Sequence, residues 1–448
     1  MDRLIPPVAG GGAGLATVSF AEKLGIVGVL FVAFFGRTGV AGGYIGLALV
    51  AIASLMMWRH QVFRLLLRSP VTIVSLILVV YVLVWRAAMV LFDSEGVYRF
   101  TGLEWSLLLI PWLTFWFCRF PQLLSWGLGL AGLGLVYESV VGVIDNLDAF
   151  KNVLETGRVF AGRAWGLYLS SATLGLMIFM PRVFRWCRKR KAGLWLFTVY
   201  VLSTAWMLQC VFASKERVAW ASFLVVFLGV LCLAGYDLYR KKKKNKKVLV
   251  VAALSVVLSL SGMFILNSEA VSKRFENDRE NIQKILAGDE SYSYTSATYR
   301  YLIFKYGVEQ WQSSPLFGLG PKDSKSLIQK STNPELQSMA HFHSSYLEIL
   351  VQLGLVGLLM FVVLVATLIK SSIKGYRSGY IAGDYFLLGM SVLVMTLIYM
   401  LMGSRLTHPD WLFHWIFVVG MVQTFGLIRH EDLNPEPLCT EYQAPPTN

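Results

Sequence analysis

Charge is what this sequence has least of. Asp, Glu, Lys and Arg make up 15% of its 448 residues, against 56% hydrophobic, too few to cover the surface of a water-soluble protein of that length. Cysteine is sparse too. Cys118, Cys187, Cys210, Cys232 and Cys439 stand far apart, which excludes a disulfide framework and a thiolate metal centre. Only six histidines occur, at 60, 341, 343, 408, 414 and 430. There is no repeat of fixed period, and no aromatic or base-reading module accompanies the lysines at 241–244. That run reads as a topology signal that also touches anionic lipid, and no nucleic-acid partner is expected.

What the sequence does have comes in blocks. Residues 71–85, 248–266 and 347–369 are nearly free of charge and long enough, or almost so, to cross a hydrocarbon core of ~30 Å. A backbone in lipid must satisfy its own hydrogen bonds, so these blocks are expected to be helices. The expected fold class is an all-α polytopic membrane protein with about twelve transmembrane helices. They fall at 24–35, 44–58, 71–91, 103–117, 123–143, 165–184, 193–213, 218–236, 248–266, 346–369, 385–403 and 411–427. The first is short and follows Lys23, so a cleaved signal peptide is its competing reading. No small-x-small site cleanly follows the apolar run, however.

Charge placement gives the orientation. With the N-terminus inside, cytoplasmic segments hold 23 Lys and Arg against 8 Asp and Glu, and the remainder 18 against 19. The whole net charge of +14 then sits on one face, as the positive-inside rule requires. The chain divides accordingly into spans one to nine (1–266), a large external segment (267–345), spans ten to twelve (346–427) and a cytoplasmic tail (428–448). The external segment is far longer than a connection between two helices needs to be. Residues 272–286 and 296–312 have apolar side chains at near-helical spacing, and Pro315 with Gly318-Leu319-Gly320-Pro321 makes a turn after the second helix.

Three basic clusters mark the outer ends of the expected helices: Arg163, Lys215 with Arg217, and His341 with His343. Arginines at membrane depth are expensive and usually hold something anionic, and a guanidinium forks naturally onto phosphate oxygens. Snorkelling to lipid headgroups is the plainer explanation of any one of them. Histidine titrates near neutrality and can take a proton from a hydroxyl. A metal is not expected. His341-x-His343 lacks a clear third ligand nearby in sequence. Asp93-Ser94-Glu95 and Glu276-Asn277-Asp278-Arg279-Glu280 offer oxygens, but the second group alternates with basic residues, as a salt-bridged helix face would.

Two longer elements add a resemblance. His343-Ser344-Ser345-Tyr346-Leu347-Glu348, followed by Gln352-Leu353-Gly354-Leu355-Val356-Gly357, is similar to the His-Asn-x-x-Leu motif and glycine-flanked helix of the O-antigen ligase and polymerase superfamily. Ser314-Pro315-Leu316-Phe317-Gly318-Leu319-Gly320 resembles that family's Pro-x-x-Gly-x-Gly turn, which follows an amphipathic helix with an arginine near its start, here Arg300. Ser214-Lys215-Glu216-Arg217 resembles its Ser-x-x-Arg turn, and Arg163 falls where the family places an arginine before a span. Ser344 departs from the usual Asn, and a side-chain amide able to orient a neighbour is lost there.

The resemblance implies a C-type glycosyltransferase-like fold in the bacterial inner membrane, multi-pass, with its active site facing the periplasm. It implies an O-antigen ligase whose donor is polysaccharide on undecaprenyl pyrophosphate and whose acceptor is a sugar hydroxyl of lipid A–core. His343 is then the catalytic base. Arg163, Arg217, Lys215 and Arg300 bind the donor pyrophosphate, and His341, Glu348 and Arg86 are supporting positions. Neither metal nor cofactor is needed, and membrane lipids complete the partners. An O-antigen polymerase shares the donor, and a protein O-oligosaccharyltransferase is a further alternative. A lipid-linked glycan transporter is the non-enzyme alternative; it calls for midplane charge and broken helices, for which Glu138 and Arg86 are the candidates near spans.

Overall fold

Ser19 starts the first helix. Its hydroxyl accepts the Glu22 N–H at 3.3 Å, and the Glu22 carboxylate accepts the Ser19 N–H at 2.9 Å, a reciprocal cap that satisfies two orphan donors. In the computed structural model the described residues are 18–92, 102–147, 165–240, 268–289, 291–321, 324–379, 381–403 and 409–427. Among them all regular structure is helical. The first half comprises α1 (Phe20–Thr38), α2 (Val40–Met56), α3 (Gln61–Leu67), α4 (Pro70–Phe92), α5 (Gly102–Arg119), α6 (Gln122–Asp145), α7 (Trp165–Cys187), α8 (Gly193–Ala213) and α9 (Arg217–Arg240). After these come α10 (Ser268–Leu286), α11 (Ser296–Gln312), α12 (Ser324–Ile328), α13 (Pro334–Gln337), α14 (Ser345–Arg377), α15 (Gly383–Tyr399) and α16 (Pro409–Leu427).

Helices lie at every expected span except 248–266, which is outside the described residues. Length and composition allow six of them to cross a membrane: α4, α6, α7, α8, α9 and α14. A seventh is added if α2 and α3, bent by 107°, count as one span. Among the described residues six or seven thus pass that measure, and the expected twelve spans are not confirmed. The remaining helices fall short of it for physical reasons. Glu22, Lys23 and Arg37 interrupt α1, and Glu104 and Arg119 fall in α5. The apolar stretch of α16 is short, and every residue from Trp411 to Phe425 is buried. A helix apolar on all sides is either a span or a central pillar. α16 is buried on all sides, with α1, α5, α14 and α15 packed around it.

The segment between α9 and α14 builds a small core of its own. Ile303, Leu327, Ile328, Leu336 and Phe342 cluster with Val351 of α14, so α11 to α13 sit directly on one end of the bundle. Helices stand at both expected positions, as α10 and α11.

Candidate functional site

α14 is not one helix. At Gly354 the backbone turns to φ 65°, ψ −167°, which breaks the ladder and strands the carbonyls before it and the N–H groups after it. The Pro315–Gly320 turn fills the gap. Leu319 N–H donates to the Val351 carbonyl at 2.8 Å and Gly320 N–H to that of Gln352 at 3.0 Å. In return Leu355 N–H donates to Pro315 O at 3.0 Å and Val356 N–H to Leu316 O at 3.1 Å. Tyr81 of α4 supplies the fifth bond, its hydroxyl donating to Leu353 O at 2.8 Å. Broken backbone inside a membrane bundle is tolerated only where protein satisfies it. The two motifs separated in sequence are therefore one structural unit. Gly318 (φ 74°) and Gly354 permit it: a Cβ on either would lie 2.3–2.6 Å from the other segment's backbone.

Above that unit the loop 341–344 enters the short arm of α14. Phe342 is fully buried and its N–H donates to Glu348 Oε1 at 2.9 Å. Glu348 is itself 2% exposed; it also accepts from the Ser324 hydroxyl and, at 3.1 Å, from Gln352 Nε2. Glu348, a supporting position expected from the resemblance, thus fixes the backbone between the two histidines. Ser344 is the N-cap of α14, its hydroxyl accepting Leu347 N–H at 3.4 Å. Ser is among the favoured N-cap residues, so the helix end is capped here without an amide.

His341 and His343 flank the buried Phe342, with ring centroids 4.3 Å apart. The His343 N–H donates to His341 Nδ1 at 3.3 Å. A neutral imidazole whose Nδ1 accepts carries its proton on Nε2. His343 holds a left-handed backbone, φ 57°, a conformation that marks functional loops when a non-glycine residue adopts it. Close by, Tyr306 donates to Leu327 O at 2.9 Å, and burial, with Glu309 nearby, pushes its phenol pKa up.

The Ser214–Arg217 turn lies at the same end of the bundle. Lys215 is the other left-handed non-glycine residue among those described, φ 51°. Glu216 accepts from the Tyr399 hydroxyl at 2.9 Å, and Gly166 in the first turn of α7 packs against the Glu216 side chain. Arg217 is half exposed, with Nη1 3.5 Å from Asp278 of α10. The end of α15 holds both halves of the site. Tyr399 grips the cationic turn, while the Met400 and Gly403 carbonyls accept the Ser345 N–H and hydroxyl at 3.0 and 2.8 Å. Reading the sequence missed Glu216 and Tyr399. An acid beside Lys215 and Arg217 was the only local signal.

The other predicted positions are dispersed. Arg300 is on α11, seven residues before Gly307, which packs on Phe342 and Leu347; at that spacing both share one helix face. Arg163 lies outside the described residues, two positions before α7. Arg86 is in an ion pair with Glu104 of α5, both buried, and braces α4 where Tyr81 and Met89 meet the inserted turn. Of the acidic metal candidates, Asp278 faces Arg217 and Glu280 pairs with Lys284 at 2.8 Å. Asp93 and Glu95 lie outside the described residues. Among those described, no three His, Cys, Asp or Glu residues converge as metal ligands would.

Fold and site together define a multi-pass helical membrane protein with a basic, histidine-bearing centre at one end of its bundle. Residues 202–362, which carry both histidines, the Ser214–Arg217 turn and the break at Gly354, match the family model described as O-antigen ligase. Over that stretch the chain is similar to the O-antigen ligase family, consistent with the O-antigen ligase and polymerase superfamily. No curated protein matches the chain.

Proposed function

We propose that the protein is an O-antigen ligase, moving polysaccharide from undecaprenyl pyrophosphate to a sugar hydroxyl of lipid A–core at the periplasmic face of the inner membrane. The observation that carries this reading is the shared anchoring of a strained histidine loop and a strained cationic turn on the end of α15. In the reaction the acceptor oxygen attacks the anomeric carbon as its proton passes to a nitrogen of His343. The bond from that carbon to the pyrophosphate oxygen breaks on the opposite side, inverting the centre. The charge on the leaving undecaprenyl pyrophosphate is met first by Arg217 and Lys215 of the cationic turn, with Arg300 and Arg163 the further candidates, in place of a divalent ion.

A transporter shares one feature, the broken helix. In α14, however, backbone groups on both sides of the break bond to the chain's own turn and to Tyr81, which favours a rigid platform over an ion site. The test is transfer by purified protein in nanodiscs, from a lipid-linked glycan to lipid A–core or to a second lipid-linked glycan, with and without EDTA. Product on lipid A–core that survives EDTA is expected. Product only on the second lipid-linked glycan would make the protein a polymerase, and activity that Mg²⁺ or Mn²⁺ must restore would overturn the metal-free mechanism.

A further inference from the structure

The segment between α9 and α14 carries aromatic side chains that its own core does not use. Tyr292 and Tyr294 lie between α10 and α11, and Tyr299 stands near the start of α11. None of the three belongs to the small core around Ile303, Leu336 and Phe342. They pack on one another instead. The Tyr294 ring lies 5.2 Å from that of Tyr292, crossed at 68°, and 5.2 Å from that of Tyr299, tilted by 36°. Tyr294 is 40% exposed, and the other two are partly exposed. The Tyr292 and Tyr294 hydroxyls are 3.4 Å apart, and the Tyr299 hydroxyl donates to Glu335 of α13 at 3.0 Å. Ring faces thus form an exposed patch with hydroxyls and a carboxylate at its rim.

Polar bonds hold this patch in shape. Asn281 of α10, itself buried, accepts the Ser293 N–H at 2.6 Å, and the Thr298 hydroxyl is 3.1 Å from the Ser293 carbonyl oxygen. Thr295 caps α11, its hydroxyl accepting the Thr298 N–H at 3.3 Å. Tyrosines on a backbone fixed in this way lose little further freedom on binding, and exposed rings gathered together mark a binding surface. The chemistry suits a sugar. A pyranose presents C–H groups on its face, which lie against an aromatic ring, and hydroxyls at its edge, which bond to phenols and a carboxylate. Aromatic belts at lipid headgroups also gather rings, but there apolar neighbours reach into the lipid. Here Ser291, Ser293, Thr295 and Thr298 stand beside the tyrosines. The patch also adjoins the reaction centre: Asn281 is three residues after Asp278, on the same side of α10, and Asp278 faces Arg217.

We propose that Tyr292, Tyr294 and Tyr299, with Glu335 at their rim, form a saccharide subsite that holds neutral sugars of the lipid-linked donor beyond the sugar attached to its pyrophosphate. Which glycan arrives there rests on the function proposed above; the binding of sugar by the tyrosines does not. The Glu335 carboxylate sets the preference for neutral sugars, because a like charge beside it is repelled.

The experiment measures binding of two probes to the full chain in nanodiscs: undecaprenyl pyrophosphate carrying one N-acetylglucosamine, and the same lipid carrying a neutral pentasaccharide. The longer probe should bind about ten-fold more tightly, as two ring contacts would make it. Tyr294→Ala and, independently, Tyr292→Ala should bring its Kd close to that of the shorter probe. The shorter probe's Kd and the melting temperature should not change. Tyr294→Phe keeps the ring and should keep most of the preference. A preference that survives both alanines overturns the proposal, as does its absence from the unsubstituted chain. Equal weakening of both probes by the alanines would place the tyrosines against lipid headgroups and also overturn it. Binding requires no transfer. A chain that prefers the longer probe but transfers nothing, to lipid A–core or to a second lipid-linked glycan, would sink the proposed function alone. Transfer to lipid A–core without any preference between the probes would sink the subsite alone.

Discussion

His343 combines two properties that separate substitutions distinguish. Its left-handed backbone is one that Asn adopts more readily than most residues, so His343→Asn removes the imidazole while leaving the loop in place. Transfer should fall by roughly 10²–10⁴-fold, the usual contribution of a general base, with the melting temperature unchanged. His341→Ala removes an acceptor for one backbone N–H and a ring contact; a smaller loss is expected. A dead His341→Ala beside a nearly normal His343→Asn would reverse the two roles. Tyr399→Phe deletes one hydrogen bond to Glu216, worth about 1 kcal/mol. It should lower kcat by about five-fold if the bond holds the cationic turn in its reactive position, and an unchanged kcat would show that it does not. Arg217→Lys keeps the charge but loses the fork, and should raise KM for the lipid-linked donor more than it lowers kcat.

The inserted turn and the break in α14 stand or fall together. Gly354→Ala would place a methyl 2.3 Å from Leu316 O, and Gly318→Ala one 2.5 Å from the Gln352 carbonyl carbon. Either should lower the melting temperature of the detergent-purified protein sharply, whereas Gly129→Ala, opposite open space, should not; equal melting curves for all three would refute the docking. Sequence gave the pieces of this unit and not their relation. Pro315, Gly318 and Gly320 announce a turn by their chemistry, and Gly354 sits inside an apolar run where it reads as a small packing residue. That the turn's N–H groups pair with carbonyls more than thirty positions away follows no local pattern. Ser344 lacks the family's amide, as its sequence says, and its N-cap role at the start of α14 is legible in the residue type. Hydropathy likewise located α16, but composition alone does not say that neighbouring helices cover it on every side.

For the molecule as a whole, the one-sided charge is the feature most open to test. Gln329 and Lys189 are both exposed and are expected on opposite sides of the membrane. In a chain with Cys232, the exposed thiol among the described cysteines, changed to Ser, Gln329→Cys should react with an impermeant reagent in cells whose outer membrane is permeabilised. Lys189→Cys should be protected until the inner membrane is opened; the reverse pattern would invert the topology. The break in α14 also bears on how the chain is born. Residues 314–320 leave the ribosome before α14 does, yet the 33 residues of α14 would span roughly 50 Å as a straight helix, against a hydrocarbon core of ~30 Å. Until the turn docks, a continuous helix is the form that leaves no backbone group of α14 stranded in lipid. Membrane insertion and maturation are then successive events, with the conversion of α14 between them. In a pulse-chase experiment Gly318→Ala chains should insert at the normal rate and then be cleared by membrane proteases, while chains that never insert would show that docking happens during translocation itself.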